Sequence, residues 1–134
     1  MARIGIITAA NSDPEDSATF YLQIFLDYGA LETYWIPVHE GNKAANMDPV
    51  VAAATREMTG FFFGGGDQTR IVDSFYNEGR TESDVLRALR ETYESGSVVA
   101  GTSAGAACMP SAVMVTGGNS YEVQQYMCYN LLLF

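Results

Sequence analysis

Short apolar segments that alternate with helical segments restrict the fold of this chain more than any other feature. Residues 4–7, 60–64 and 98–100 are almost entirely apolar, and a segment with helical spacing follows each of them. A strand that is apolar throughout is typical of a sheet covered on both faces. The alternation therefore predicts a parallel sheet with helices on both faces. A further strand is predicted over residues 32–38, at an edge of the sheet because Pro37 lacks an N–H.

Capping residues indicate where the helices begin. Asp13 and Asp48 each precede a proline, and an aspartate cap followed by proline is a strong start signal. Thr81 is the predicted cap of a later helix. The apolar spacing predicts that Tyr28 of the first helix and Tyr93 of the later helix face inward.

Size and composition indicate one folded α/β domain over residues 1–134. The chain is 48% hydrophobic and 17% charged, as in ordinary soluble domains. Its net charge of −9 argues against nucleic acid as a partner, because binding to phosphates needs a basic surface. The apolar segments are too short to span a membrane, and the first residues do not form a signal peptide. We therefore expect a soluble protein; the compartment stays open.

Ser103 lies in the sequence Gly-Thr-Ser-Ala-Gly, directly after the apolar residues 98–100. A buried strand followed by Gly-x-Ser-x-Gly predicts a nucleophile elbow, a sharp turn that exposes the serine before a helix. The N–H groups at the start of that helix, beginning with Ala104, favour negative charge near the serine. The pattern alone is also compatible with a turn of small residues that only packs.

A second glycine-rich loop, residues 64–68, follows the strand before it. In a parallel sheet both loops lie at the carboxyl edge, where ligands bind. An N–H of Gly65 can then face the same oxyanion as that of Ala104. Asp67 is interpreted mainly as the cap of the next helix, and Gln68 as a polar group at the rim of the pocket.

A catalytic triad also needs a base, and His39 is the single histidine of the chain. In the strand order two, one, three, four, His39 follows an edge strand about 14 Å from the strand of Ser103. It is therefore interpreted as a surface histidine. Glu122, in a loop after a predicted fifth strand over residues 112–116, is the candidate third group, with a solvated loop glutamate as the alternative. Arg70 is interpreted as a helix-surface residue, although it could meet a substrate carboxylate.

The two cysteines, Cys108 and Cys128, lack the spacing of metal ligands and are expected to be free buried thiols. No metal or cofactor is implied by the sequence. The last segment, residues 130–134, is apolar after Asn130 and lacks a cap, so we expect the chain to be cut inside an element.

Residues 62–68 and 101–107, in this order and placement, resemble the cyanophycinase and dipeptidase E family of serine peptidases. The resemblance implies a flavodoxin-like fold, similar to class I glutamine amidotransferases. It implies that Ser103 is the nucleophile, that Gly65 and Ala104 form the oxyanion hole, and that Gln68 contacts the aspartyl part of the substrate. Glu122 is the best match to the triad acid.

The resemblance also implies hydrolysis of aspartyl peptide or isopeptide bonds. The family's histidine follows in a segment beyond residue 134, and the family's chain is longer. We therefore expect an amino-terminal part of a larger, truncated domain that is nearly inactive alone and able to form a homodimer. The alternatives are a non-catalytic paralogue that binds acidic peptides and a lipase-like or esterase-like hydrolase, which the Gly-Asp-Gln loop disfavours.

Overall fold

A computed structural model describes residues 1–109 of the protein. Four strands form one sheet: β1 (Arg3–Ile7), β2 (Glu32–Trp35), β3 (Gly60–Phe63) and β4 (Val98–Gly101). All neighbouring pairs are parallel, and the order is β2-β1-β3-β4. The predicted parallel sheet and its strand order are confirmed. β2 ends earlier than predicted, before Pro37, which cannot donate to a neighbouring strand.

Helices connect the strands. The α-helices are α1 (Pro14–Asp27), α2 (Pro49–Arg56), α3 (Gln68–Phe75), α4 (Asp84–Glu94) and α5 (Ala104–Ala107). Short 3₁₀ turns cover Glu40–Met47 and Glu78–Arg80. No helix within residues 1–109 has both the length and the apolar character needed to cross a bilayer. The predicted fifth strand lies outside the described residues.

Side chains of β3 show how the two faces of the sheet are covered. The ring of Phe62 contacts Tyr21 and Phe25 of α1, with centroid separations of 4.8 and 5.2 Å. Phe61 and Phe63 are buried on the opposite face, in a core shared with apolar residues of α2, α3 and α4. Alternate residues of a strand point to opposite faces, so β3 is covered on both, as its apolar sequence predicts.

β4 departs from this pattern within the described part of the chain. Val98 is 69% exposed, and Ala100 is exposed as well. Both belong to an apolar groove that also includes Ile4, Phe25 and Phe62. The described helices therefore cover the α1 face of the sheet over β1 and β3 but leave β4 open.

Most of the predicted caps are present. Asp13, Asp48 and Asp67 each accept a hydrogen bond from a backbone N–H in the first turn of the following helix. The cap predicted at Thr81 is wrong, because Ser83 caps α4 instead; its Oγ accepts from the N–H of Leu86 at 3.1 Å.

Two aromatic side chains predicted to face inward are on the surface. Tyr28 is 88% exposed and Tyr93 is 45% exposed. Each lies at the carboxyl end of its helix, Tyr28 as the cap of α1 and Tyr93 as the last residue but one of α4. Helical spacing alone therefore extends the buried stripe too far at helix ends.

Replacing Ser83 by alanine is expected to lower the free energy of unfolding by about 1–2 kcal/mol. The side chain is fully buried, so the N–H of Leu86 would lose its acceptor without gaining water. Thr81→Ala is the matched control and should lower the free energy of unfolding by only about a few tenths of a kcal/mol. Urea denaturation of both variants checks the assignment, and an equal loss at both positions would contradict it.

Candidate active site

Ser103 occupies a strained backbone conformation at the end of β4. Its φ is +50° and its ψ is −121°, a region that residues with a side chain rarely adopt. The chain leaves β4 at Gly101 and enters α5 at Ala104, so Ser103 is the turning residue between strand and helix. Its side chain is exposed at the carboxyl edge of the sheet. This geometry is that of a nucleophile elbow.

Close packing of α5 against β3 explains the glycine two residues after the serine. A Cβ at Gly105 would overlap the carbonyl oxygen of Phe63. Only glycine permits helix and strand backbones to approach this closely. The sequence indicated a tight turn of small residues, but only the structure shows that Gly105 packs against Phe63 of β3.

The second glycine-rich loop lies beside the serine. The position of a Cβ on Gly65 is 3.3 Å from the Cβ of Ser103 and 3.9 Å from its Oγ. In residues 1–109, neither the N–H of Gly65 nor that of Ala104 donates to a backbone carbonyl. The Ser103 hydroxyl also makes no side-chain hydrogen bond with these residues. The structure thus brings together Ser103 and the two residues predicted to supply donors, Gly65 and Ala104.

Gly66 connects this loop to the end of β1. Its φ is +142°, and a Cβ there would overlap the carbonyl group of Ala10. The next residue, Asp67, donates its N–H to the same Ala10 oxygen at 2.9 Å. The loops after β1 and β3 therefore form one surface, a connection that no local sequence signal marks.

Asp67 and Gln68 follow at the start of α3. The Asp67 carboxylate accepts from the N–H of Thr69 at 2.8 Å and from its hydroxyl at 2.6 Å. These two hydrogen bonds lower the pKa of Asp67, and the bond from the Thr69 hydroxyl has the larger effect. The capping role predicted for Asp67 is confirmed. Gln68 is the first residue of α3 and is half-buried.

Cys108 lies near the elbow but is unsuited to nucleophilic chemistry. Burial raises the pKa of its thiol to about 12, so the thiol stays protonated at neutral pH and is a poor nucleophile. Its Sγ donates to the carbonyl oxygen of Gly105 at 3.1 Å. The prediction of a free, buried thiol is confirmed for Cys108, whereas Cys128 lies outside the described residues.

His39 follows the edge strand that the strand order predicts, and no hydrogen bond or ring contact within residues 1–109 joins it to Ser103. This strand, β2, is at the opposite edge of the described sheet from β4. Its ring stacks on Trp35 with a centroid separation of 5.9 Å and an interplanar angle of 13°. Glu122, the candidate triad acid, lies outside the described residues.

The sequence is similar to those of known peptidases. The sequence profile of peptidase family S51 matches residues 9–134. A cyanophycinase of Synechococcus elongatus is 32% identical over 120 residues, which is 89% of this chain and 35% of the relative. A cyanophycinase of Trichormus variabilis is 31% identical over 122 residues, or 90% of this chain and 38% of the relative. The chain thus spans less than half the length of these relatives.

Solved structures share the fold. A peptidase from an acI-B1 actinobacterium matches with a TM-score of 0.66 at 24% identity, covering 84% of this chain and 44% of that one. A putative peptidase E protein from Listeria monocytogenes matches with a TM-score of 0.58 at 17% identity, covering 98% of this chain and 61% of that one. With the sequence match over nearly the whole chain, these findings lead to one conclusion: the chain belongs to peptidase family S51.

Proposed function

We propose that this chain carries the nucleophile and oxyanion hole of a serine peptidase. The observation that supports the proposal most strongly is the strained, exposed Ser103 beside Gly65. A Cβ on Gly65 would lie 3.3 Å from the Cβ of Ser103. A backbone held at positive φ by its surroundings stores strain, which proteins retain mainly at functional sites. A packing turn would need neither this strain nor an exposed hydroxyl.

The proposed reaction begins with attack of the Ser103 Oγ on the carbonyl carbon of the substrate. The N–H groups of Gly65 and Ala104 then donate to the oxyanion of the tetrahedral intermediate, and each such donor contributes about 10²–10³-fold to the rate. Loss of the amine leaves an acyl ester on Ser103, and water releases the acid by the reverse sequence.

A base must take the proton from Ser103 and deliver it to the leaving amine. His39 is the single histidine and belongs to the opposite edge of the described sheet. We therefore propose that the base is a histidine of polypeptide outside this chain, oriented by Glu122. Such an arrangement divides the triad between residues 1–134 and a partner segment.

Aspartyl peptides or isopeptides are the proposed substrate class. The curated relatives are cyanophycinases, and the resemblance of residues 62–68 assigns Gln68 to the aspartyl part of the substrate. Gln68 begins the helix that follows the glycine loop, two residues after Gly66. An amide there can both donate to and accept from a carboxyl group and its neighbouring peptide.

The proposal predicts that the 134-residue chain is nearly inactive alone. Its hydrolysis of an aspartyl dipeptide should be at least about 10³-fold below that of a longer polypeptide that supplies the histidine. Amine release measured on both proteins at equal concentration checks this. Full turnover by the 134-residue chain would show that the base lies within it.

A non-catalytic protein is the second candidate, favoured by the position of His39 after the edge strand opposite to β4. It predicts that a serine-directed fluorophosphonate leaves Ser103 unmodified even in the histidine-bearing polypeptide. Intact-mass spectrometry separates the two functions, because the peptidase should gain one phosphonate adduct per chain.

A further inference from the structure

A cavity at the carboxyl edge of the sheet lies beyond the glycine loop. Its volume is about 290 Å³, and it lies at the ends of β1 and β2. The polar residues around it are Asn11, Ser12, His39, Glu40 and Arg70. This volume is at the lower end of the range for ligand pockets, which suits one amino-acid residue.

The cavity and the elbow belong to one continuous surface. Gly65 is against Ser103, and Gly66 is against Ala10, the residue between Ala9 and Asn11 of the cavity wall. β1 is two strands from β4, or about 10 Å at the usual strand spacing. An extended peptide covers that distance with about three residues.

Several contacts fix the walls of the cavity. The Asn11 Oδ1 accepts from the N–H of Asp13 at 2.8 Å, which leaves the amide nitrogen to donate to a ligand. Trp35 donates its Nε1–H to the Thr8 hydroxyl at 3.0 Å and stacks on His39. The site is therefore formed before a ligand arrives, which lowers the entropic cost of binding.

Arg70 brings a guanidinium to the wall of the cavity. Its Nε is 3.6 Å from the Glu40 Oε2, and the Glu40 side chain is 55% exposed. A well-formed pair of this type has a distance of about 2.7–2.9 Å, so the Glu40 contact is weak and open to exchange. A guanidinium has five N–H donors in a fork that matches a carboxylate. The hydroxyl of Ser12 and the amide of Asn11 add neutral donors.

We propose that this cavity is a subsite for a carboxylate of the substrate, which Arg70 binds and for which Glu40 is the internal competitor. The bound carboxylate belongs to a residue two or three positions from the scissile bond. This subsite role rests on the proposed peptidase function, whereas carboxylate binding as such does not.

Succinate is the probe for the binding itself. Titration of the ¹⁵N-labelled 134-residue chain at low salt should give saturable shifts at the amides of Asn11, Ser12 and Gly41. Arg70→Gln should weaken binding by about tenfold, the usual effect of losing one charged hydrogen bond. Glu40→Gln should strengthen it several-fold because the competitor loses its charge. Arg87→Gln is the matched control, since Arg87 pairs with Asp84 on α4, and it should change nothing.

Opposite results would overturn the proposal. The first is that succinate produces no saturable shift. The second is that Arg70→Gln binds succinate as tightly as the unmodified chain does, and the third is that Glu40→Gln binds it more weakly. Binding of 1,4-diaminobutane that depends on Glu40 would instead identify a cation site. A dispersed spectrum for each variant verifies folding, and Arg70→Lys, which keeps the charge, should lose less affinity than Arg70→Gln.

Turnover tests the subsite role separately. In a histidine-bearing polypeptide, Arg70→Gln should raise KM for an acidic tetrapeptide about tenfold with little change in kcat, and leave an aspartyl dipeptide unaffected. An equal effect on both substrates would contradict the distance argument. If neither substrate is cleaved, the proposed peptidase function fails, while the succinate titration still decides on the cavity.

Discussion

Replacing Ser103 by alanine is expected to reduce hydrolysis of an aspartyl dipeptide by about 10⁴-fold to 10⁶-fold in a polypeptide that supplies the histidine. The reason is that, in the proposed reaction, the acyl intermediate forms on the Ser103 Oγ. The measurement is kcat/KM together with fluorophosphonate labelling followed by mass spectrometry. The residual rate should stay above that in water, because the N–H groups of Gly65 and Ala104 remain.

Ser97→Ala is the matched control for this prediction. Ser97 immediately precedes β4, at the end of the strand opposite to Ser103, and its hydroxyl donates to the carbonyl oxygen of Met58 at 3.5 Å. Its removal should leave turnover and labelling unchanged. Retention of the phosphonate adduct in Ser103→Ala would show that another residue is the nucleophile.

Replacing Gly66 by alanine is expected to lower the free energy of unfolding by about 3–5 kcal/mol. Two costs combine: a positive φ costs a side-chain-bearing residue about 1–2 kcal/mol, and overlap with packed backbone costs about 1–3 kcal/mol. The overlapping group is the carbonyl of Ala10, which cannot move without disturbing the end of β1. Urea denaturation of the 134-residue chain measures the loss.

Gly29 separates these two costs. It also has a positive φ, +92°, but a Cβ there would meet no atom within 4 Å. Gly29→Ala should therefore cost only the conformational part, about 1–2 kcal/mol. Equal losses at the two positions would mean that the contact between Gly66 and Ala10 contributes nothing.

Local signals in the sequence are sufficient for much of the fold. The apolar residues 4–7 and 60–64 predict β1 and β3, and the aspartates at 13, 48 and 67 predict three helix starts that the structure contains. These features depend on residues within a few positions of each other. The strand order also follows, because right-handed connections leave few arrangements of a parallel sheet.

The cap of α4 shows where local signals fail. Thr81 and Ser83 are both suitable caps, and the choice depends on contacts outside the helix. Tyr76 and Glu82 form an antiparallel bridge, and the N–H of Ser83 donates to the carbonyl oxygen of Phe75 at 3.3 Å. The segment before Ser83 is therefore held extended, and the helix can begin only after it.

In the candidate site, too, some features follow from local sequence and others do not. Ser103 and Gly65 could be identified from motifs, and the shared edge of the sheet predicted that they would lie together. The contact between Gly66 and Ala10 joins residues 56 positions apart, so no periodicity or motif reports it. The sequence allowed Arg70 to meet a substrate carboxylate but did not predict the cavity beside it, since the walls come from the ends of β1 and β2 and the start of α3.

The bend at Ser103 does not depend on the side chain that it presents. The bend is held by the close fit of Gly105 to Phe63 and by the neighbouring loop, while the Ser103 hydroxyl takes no part in side-chain hydrogen bonding within residues 1–109. The Ser103 hydroxyl thus adds nothing to the described contacts that hold the bend. A thiol in place of this hydroxyl would have the same exposure, so the described fold does not depend on which of the two groups stands at position 103.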